Sequence, residues 1–188
     1  MDYNAKFGHV SRKTSNKTAP AVWSGQITSL TRRRIMGEIK RHGNCISKDE
    51  QILIKVDPDN ITHWYFIIHK LDDDQYRNGV YFGFIQLPDD FPLHAPRFIL
   101  FTPNGRFEVE RPICLSITTQ HENYPPGMNL KNFVILISSV MTGETEGGSG
   151  HIEPRYCSKE KRQGLAQDSL RFNREDCVIF KDIFPGYM

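Results

Sequence analysis

The chain has 188 residues, enough for one folded domain with a sizeable core but too few for two domains of ordinary size. Lysine and arginine total 24 against 22 for aspartate and glutamate, so the overall charge does not indicate a nucleic-acid partner or an anionic membrane surface. The four cysteines, Cys45, Cys114, Cys157 and Cys177, form no C-x-x-C pair and have no histidine spacing typical of zinc, which favours reduced thiols and no metal site.

The first 26 residues predict a flexible arm, followed by one folded domain over residues 27–188. The arm is rich in Lys, Ser, Thr and Asn and holds few large apolar side chains. It lacks the apolar run of a signal peptide, so we expect the domain to lie on the cytosolic side of membranes.

Residues 29–42, SLTRRRIMGEIKRH, predict a short basic helix that Ser29 or Thr31 caps. We expect the apolar side of this helix to be buried and the basic side to face solvent. The apolar side holds Leu30, Ile35, Met36 and Ile39; the basic side holds Arg32, Arg33, Arg34, Lys40 and Arg41.

The middle of the chain predicts four antiparallel strands that follow one another in a meander. Residues 51–56, 62–70, 80–87 and 97–101 are rich in β-branched and aromatic side chains. Their connectors contain the Pro, Gly, Asn and Asp residues that turns favour. Helical patterns then return over residues 130–141, 158–173 and 174–184, and the apolar first of these predicts a buried helix. The expected class is α+β.

Residues 101–130 form the unusual segment, because a long irregular stretch inside a compact domain is uncommon and is often functional. It contains Cys114 between Ile113 and Leu115. Cysteine is one of the most frequently buried residue types, so these neighbours alone favour a packing role. A thiolate is also a strong nucleophile towards a thioester, so the residues leave both roles open. No local signature of a papain-like protease surrounds Cys114, although His121 is a candidate base.

The run GVYFGFIQLPDDFPLHAPRFILFTPNGRF followed by PICLSI resembles ubiquitin-conjugating enzymes. The resemblance extends from the basic helix near residue 29 to RFN at 171–173. It implies the UBC fold, with an N-terminal helix, a four-stranded meander, an irregular active-site segment and C-terminal helices. TPNGRF, CLSIT and KRQGLAQDSLRFN are similar to the tail-anchored branch that serves endoplasmic-reticulum protein quality control, in which Thr102 stands where most members have histidine.

The resemblance implies that Cys114 carries ubiquitin as a thioester. Asn104 would stabilise the oxyanion of the transfer step, or hold the loop so that other donors can. Residues carried over as supporting the active-site loop are Thr102, Pro103, His121, Ser149, His151 and Glu153. The last three lie where family members often keep a polar or acidic residue that orients or deprotonates the incoming amine.

The resemblance also implies binding surfaces and partners. A ligase, of RING type, would contact Pro92, Leu93, His94, Pro96, Pro125 and Pro126. The activating enzyme would contact Arg32, Arg33, Arg34 and Lys40. The text YPPGM at 124–128 departs from the family's W-x-P-A-like segment, which weakens the expectation of ligase contact there.

The expected partners are ubiquitin, its activating enzyme, a ligase and protein substrates, with no nucleic acid. No cofactor is expected, since ATP is used by the activating enzyme. The chain ends at FPGYM without an apolar tail, so we expect location at the endoplasmic-reticulum membrane only through an anchor outside this chain. The alternatives are a catalytically silent UBC-like module that binds ubiquitin or a partner, and a conjugating enzyme for another ubiquitin-like modifier.

Overall fold

A computed structural model describes residues 27–42, 44–45, 50–114, 125–143 and 150–187, with the backbone alone at 44, 45 and 154. Its helices and strands follow the α+β order that the sequence predicts. The elements are α1 (Ser29–His42), β1 (Asn44–Cys45), β2 (Ile52–Val56), β3 (His63–His69), β4 (Val80–Gln86), β5 (Arg97–Leu100), α2 (Leu130–Thr142), α3 (Lys159–Glu175) and α4 (Val178–Ile183). The predicted arm, residues 1–26, lies outside the described residues, so that prediction stays open.

The strands form one antiparallel sheet in the order β1-β2-β3-β4-β5. Ile54 of β2 pairs with Phe66 of β3, and Phe66 pairs in turn with Gly83 of β4. The four predicted strands are confirmed. The additional strand, β1, has two residues, too few for any alternation to be visible in the sequence.

The inner face of the sheet packs against the apolar helix α2. Alternate strand residues, including Ile54, Trp64 and Phe66, join Phe133 and Ile137 of α2 in one buried cluster. Asn129 caps α2 by accepting the N–H of Asn132 at 2.8 Å. The apolar run at 133–140 is therefore a core helix, as the sequence predicts. Among the described residues, no helix combines the length and apolarity needed to span a bilayer.

The outer face of the sheet is covered by the C-terminal segment of the chain. Phe82 on this face contacts Phe180 and Phe184, which lie in α4 and directly after it, and Tyr65 belongs to the same buried cluster. Lys55 Nζ donates to the Ile183 carbonyl at 2.8 Å, at the C-terminal end of α4. Both faces of the sheet are thus buried, which explains why β3 and β4 are almost entirely buried.

Helix α1 differs from its predicted orientation. The residues fully buried in it are Thr31, Ile35 and Glu38, whereas Leu30 and Met36 are both 53% exposed. The Thr31 hydroxyl donates to the Asp89 carbonyl at 2.9 Å, and Glu38 Oε2 accepts the N–H of Leu130 at 3.1 Å. Ile35 and Ile39 of the predicted apolar side do pack into the core, but these polar partners from distant parts of the chain take the places expected for Leu30 and Met36.

The predicted N-cap of α1 was also wrong. The side chain that accepts a first-turn amide is that of Thr28, whose Oγ1 lies 3.1 Å from the Thr31 nitrogen.

Candidate active site

Cys114 lies at the end of a described stretch, residues 101–114, that leaves β5 and folds back beside it. The N–H of Ile113 donates to the Phe98 carbonyl at 2.8 Å, and the Ile113 side chain is buried in the core. Cys114 follows this anchor and is a half-buried, reduced thiol. The sequence therefore places the thiol at the boundary between the core and the surface.

The loop before Cys114 is held by the side-chain amide of Asn104, which is fully buried. Its Nδ2 donates to the Thr102 carbonyl at 2.9 Å. Its Oδ1 accepts the N–H groups of Arg106 at 2.9 Å and Phe107 at 2.7 Å. All of these bonds join the amide to the loop itself. Of the two roles that the sequence left open, they favour holding the loop over direct stabilisation of the oxyanion.

Two arginines tie this loop to neighbouring elements. Arg162 of α3 donates through Nε to the Gly105 carbonyl at 3.2 Å, where Gly105 has a positive φ of 74°. The Arg106 side chain is buried and donates through Nε to the Val140 carbonyl of α2 at 3.2 Å. Burial lowers the pKa of Arg106 from its usual value. The loop is therefore fastened to α2 and to α3.

Thr102, in the position where the resembled family usually has histidine, completes the hydrogen bonding of strand β4. Its hydroxyl accepts the N–H of Phe82 at 2.8 Å and donates to Asn173 Oδ1 at 2.6 Å. Asn173 Nδ2 donates to the Val80 carbonyl at 2.8 Å. Strand β5 pairs only with residues 83–86 of β4, so these side chains serve the part of β4 that β5 does not reach.

A short run at residues 150–152 lies antiparallel to residues 106–108 and brings His151 to Cys114. The N–H of Glu108 donates to the Gly150 carbonyl at 2.8 Å, and the N–H of Ile152 donates to the Arg106 carbonyl at 2.8 Å. His151 Nε2 lies 3.1 Å from the Cys114 carbonyl oxygen. His151, one of the predicted supporting residues, is thus within hydrogen-bond distance of the Cys114 backbone.

The other supporting residues have different surroundings. Glu153 is exposed and its carboxylate lies 2.5 Å from Arg155 Nε, so its charge is offset by a neighbour. Pro103 is half-buried between Thr102 and Asn104. His121 and Ser149 lie outside the described residues, and their roles stay predictions.

The other cysteines with described side chains are poorer candidates for a nucleophile. Burial raises the pKa of Cys177 to about 12 and raises that of Cys157 as well. A raised pKa leaves little thiolate at neutral pH. The side chain of Cys45 lies outside the described residues.

The predicted binding residues lie on three neighbouring segments. Helix α1 contacts the loop at 88–96 through Thr31, and the guanidinium carbon of Arg34 lies 5.8 Å from the centre of the Phe91 ring. Arg34 Nη2 also donates to the Met128 carbonyl at 2.8 Å, which joins α1 to the turn after Pro125. The peptide bond Phe91–Pro92 is cis, and Leu93 after it is 64% exposed.

The expectation that every arginine of α1 faces solvent was wrong for Arg34. Its side chain is only 20% exposed, and its Nη2 lies 3.0 Å from Oε1 of the buried Glu38. Arg32, Arg33 and Lys40 are exposed. His94 and Pro126 are also exposed, Pro92 and Pro125 are half-buried, and Pro96 is buried.

The sequence analysis did not identify Arg106, Arg162 or Asn173 as part of this site. All three do lie within motifs that carry the resemblance, Arg106 in TPNGRF and Arg162 and Asn173 in KRQGLAQDSLRFN. Local periodicity treats polar residues such as these as solvent-facing, so it does not reveal that they are buried. The motifs were the signal that could have found them.

Comparison with known proteins agrees with this geometry. A family model described as ubiquitin-conjugating enzyme matches residues 34–162. The human protein named ubiquitin-conjugating enzyme E2 J1 is 37% identical over 127 residues, which cover 66% of this chain and 39% of that protein, and the mouse protein of the same name gives the same values. The match thus spans about two fifths of the length of these relatives.

A relative of more similar length comes from Dictyostelium discoideum. This protein, named ubiquitin-conjugating enzyme E2 J2-like, is 31% identical over 150 residues, which cover 78% of this chain and 85% of the relative. An Arabidopsis thaliana protein named ubiquitin-conjugating enzyme E2 32 is 33% identical over 135 residues, which cover 71% of this chain and 42% of that protein. The family model covers well over half of the chain, and the chain belongs to the ubiquitin-conjugating enzyme family.

Proposed function

We propose that the protein accepts ubiquitin from the activating enzyme as a thioester on Cys114 and passes it to a substrate or ligase. The observation that carries the proposal is the half-buried Cys114 thiol at the end of a loop fastened by Asn104, Arg106 and Arg162. Family membership supports the same chemistry.

In the first step the Cys114 thiolate attacks the thioester carbonyl of ubiquitin on the activating enzyme, and the thiolate of that enzyme leaves. In the second step an acceptor amine attacks the new thioester, the Cys114 thiolate leaves, and the amine loses a proton to a base or to solvent. Each step exchanges one acyl bond for another, so this chain needs no cofactor. ATP is consumed upstream, where the activating enzyme forms its thioester.

We infer two adjoining partner surfaces, because α1 lies next to the loop at 88–96 and the turn at 125–128. We place the activating enzyme on the exposed basic residues Arg32, Arg33 and Lys40. We place a RING-type ligase on Leu93, His94 and the Pro125–Pro126 pair, which lie next to α1. Partners on adjoining surfaces would bind in turn rather than together.

The branch resemblance supports a role in endoplasmic-reticulum protein quality control. The motifs that carry it, TPNGRF and RFN, meet in the structure through the hydrogen bond between Thr102 and Asn173. We therefore place the domain on the cytosolic side of that membrane.

Charging assays test the proposal directly. With activating enzyme, ATP and ubiquitin, the wild-type chain should give an adduct that a thiol reagent removes, Cys114→Ser an adduct that resists the reagent, and Cys114→Ala no adduct. Cys177→Ser is the matched control, since Cys177 is also half-buried, and it should charge normally. An adduct that persists on Cys114→Ala would overturn the assignment.

The same assay separates the alternatives. A folded wild-type chain that accepts neither ubiquitin nor any related modifier from its activating enzyme would be a silent binding module. Charging by the activating enzyme of another ubiquitin-like protein, and not by that of ubiquitin, would change the modifier and leave Cys114 in its role.

A further inference from the structure

The contact between His151 and Cys114 fixes the tautomer of the neutral histidine ring. A carbonyl oxygen only accepts hydrogen bonds, so Nε2 of His151, 3.1 Å from the Cys114 carbonyl oxygen, must carry the hydrogen. In the neutral ring Nδ1 then carries a lone pair. Nδ1 is buried and has no hydrogen-bond partner within the part of the chain that the structure describes.

The segment that carries His151 packs closely against its neighbours. Its neighbour Gly150 has a positive φ of 81°, and a Cβ added there would lie 2.6 Å from the Pro112 carbonyl oxygen. The edge of the His151 ring packs against Phe107, with the ring centres 4.9 Å apart. The histidine therefore links the loop that Asn104 orders to the backbone of Cys114.

We propose that His151 is a positioning residue for transfer from Cys114: as the neutral Nε2–H tautomer it orients the Cys114 backbone and, through it, the reactive sulfur. The inference rests on the proposed function, because orientation of the sulfur matters to the rate only if the sulfur reacts. It differs from the role expected from the sequence, in which His151 would act on the incoming amine.

The surroundings of the ring oppose its protonation. A proton on Nδ1 would be buried without a described acceptor, and the positive charge of Arg106 on the neighbouring run disfavours it. Burial is the larger cause and Arg106 adds to it, so the pKa of His151 is lowered from 6.5 despite the hydrogen bond to Cys114. Glu153, on the same segment, is exposed and ion-paired with Arg155. At acid pH the imidazolium should leave this site for water and release Cys114.

Two variants separate positioning from titration. His151→Gln keeps a side-chain N–H donor but does not titrate, and His151→Leu has similar bulk and no donor. Each protein is charged with ubiquitin at neutral pH, ATP is removed, and discharge onto excess free lysine is followed between about pH 5.5 and 7.5. The titration of lysine cancels when two proteins are compared at the same pH.

At pH 7.5 we expect discharge from His151→Leu to be slowed about fivefold, the rate equivalent of one neutral hydrogen bond, with His151→Gln close to wild type. The ratio of the wild-type rate to the His151→Gln rate should fall as the pH drops below 6.5. Equal rates for wild type and His151→Leu, or a ratio that does not vary with pH, would overturn the inference.

The outcomes remain distinct from failure of the proposed function. If wild type forms no thioester, the proposed function fails and the inference fails with it. If every variant is charged and the discharge rates coincide, the inference alone fails. Should His151→Leu not fold, as judged by circular dichroism, the pH dependence of the wild-type to His151→Gln ratio decides.

Discussion

The side chain of Asn104 holds the loop before Cys114 together. Its amide makes three hydrogen bonds within that loop and is fully buried. Asn104→Ala would leave the buried N–H groups of Arg106 and Phe107 unpaired, so the free energy of unfolding should fall by about 3 kcal/mol. Urea unfolding of the uncharged protein measures this loss.

The companion measurement is discharge of the charged Asn104→Ala variant. If loop-holding is the role of Asn104, slower discharge should accompany the loss of stability. Unchanged stability with slow discharge would instead favour direct stabilisation of the oxyanion, and unchanged discharge would remove Asn104 from the mechanism.

At the scale of elements, the Thr102–Asn173 pair joins the loop before Cys114, strand β4 and helix α3. Thr102→Val keeps the shape of the side chain but leaves the Phe82 N–H and Asn173 Oδ1 without their partner. We expect a loss of about 2 kcal/mol in the free energy of unfolding. Because the two residues touch, Thr102→Val and Asn173→Ala should be non-additive by about 1 kcal/mol in a double-mutant cycle. Additive losses would show that the two side chains act independently.

The junction of α1 and α2 depends on the buried carboxylate of Glu38. This carboxylate accepts the first N–H of α2 and lies 3.0 Å from Arg34, so it satisfies a helix N-terminus and an arginine together. Glu38→Gln keeps an acceptor for Leu130 but removes the charge, and we expect it to cost about 1 kcal/mol. Glu38→Leu also removes the acceptor and should cost about 3 kcal/mol. Urea unfolding compares the two, and equal losses would show that the hydrogen bond to Leu130 contributes nothing beyond the charge.

At the scale of the whole molecule, the parts predicted correctly from the sequence are those that local pattern determines. The aromatic and β-branched runs at 62–70 and 80–87 became β3 and β4, and the apolar run at 133–140 became the core helix. Periodicity alone left the Cys114 segment open between packing and catalysis; the family motifs favour catalysis, and that role stays a prediction.

The parts that were missed depend on partners far away in the chain. Glu38 is buried because it accepts the N–H of Leu130, and Thr31 because it donates to the Asp89 carbonyl. Arg34 is turned inward by its hydrogen bond to the Met128 carbonyl. Leu30 and Met36 are exposed for the same reason, since the helix turns these polar residues inward. No window of sequence around α1 contains the residues that decide its orientation.

A histidine on the covered outer face of the sheet predicts how the stability of the fold should change with pH. His69 of β3 is buried, with Nε2 2.6 Å from the Glu50 carbonyl and Nδ1 2.6 Å from the Tyr187 hydroxyl. The neutral ring donates to Glu50 and accepts from Tyr187, and protonation would force the Tyr187 hydroxyl to turn away. Burial lowers the pKa of His69, and it also lowers those of His63 and His151, from the usual 6.5.

Because these pKa values are lower in the folded state, the unfolded chain binds more protons just below pH 6.5. The stability contribution of the neutral rings is fully present above pH 6.5 and is lost as the pH falls below it. Glu160 and Asp168 have lowered pKa values too, but their effect comes below their usual values of 4.5 and 3.8. The urea midpoint should therefore fall between pH 7 and about 5, and less steeply in His69→Gln. A midpoint that stays constant or rises over this range would contradict the neutral, buried state of these histidines.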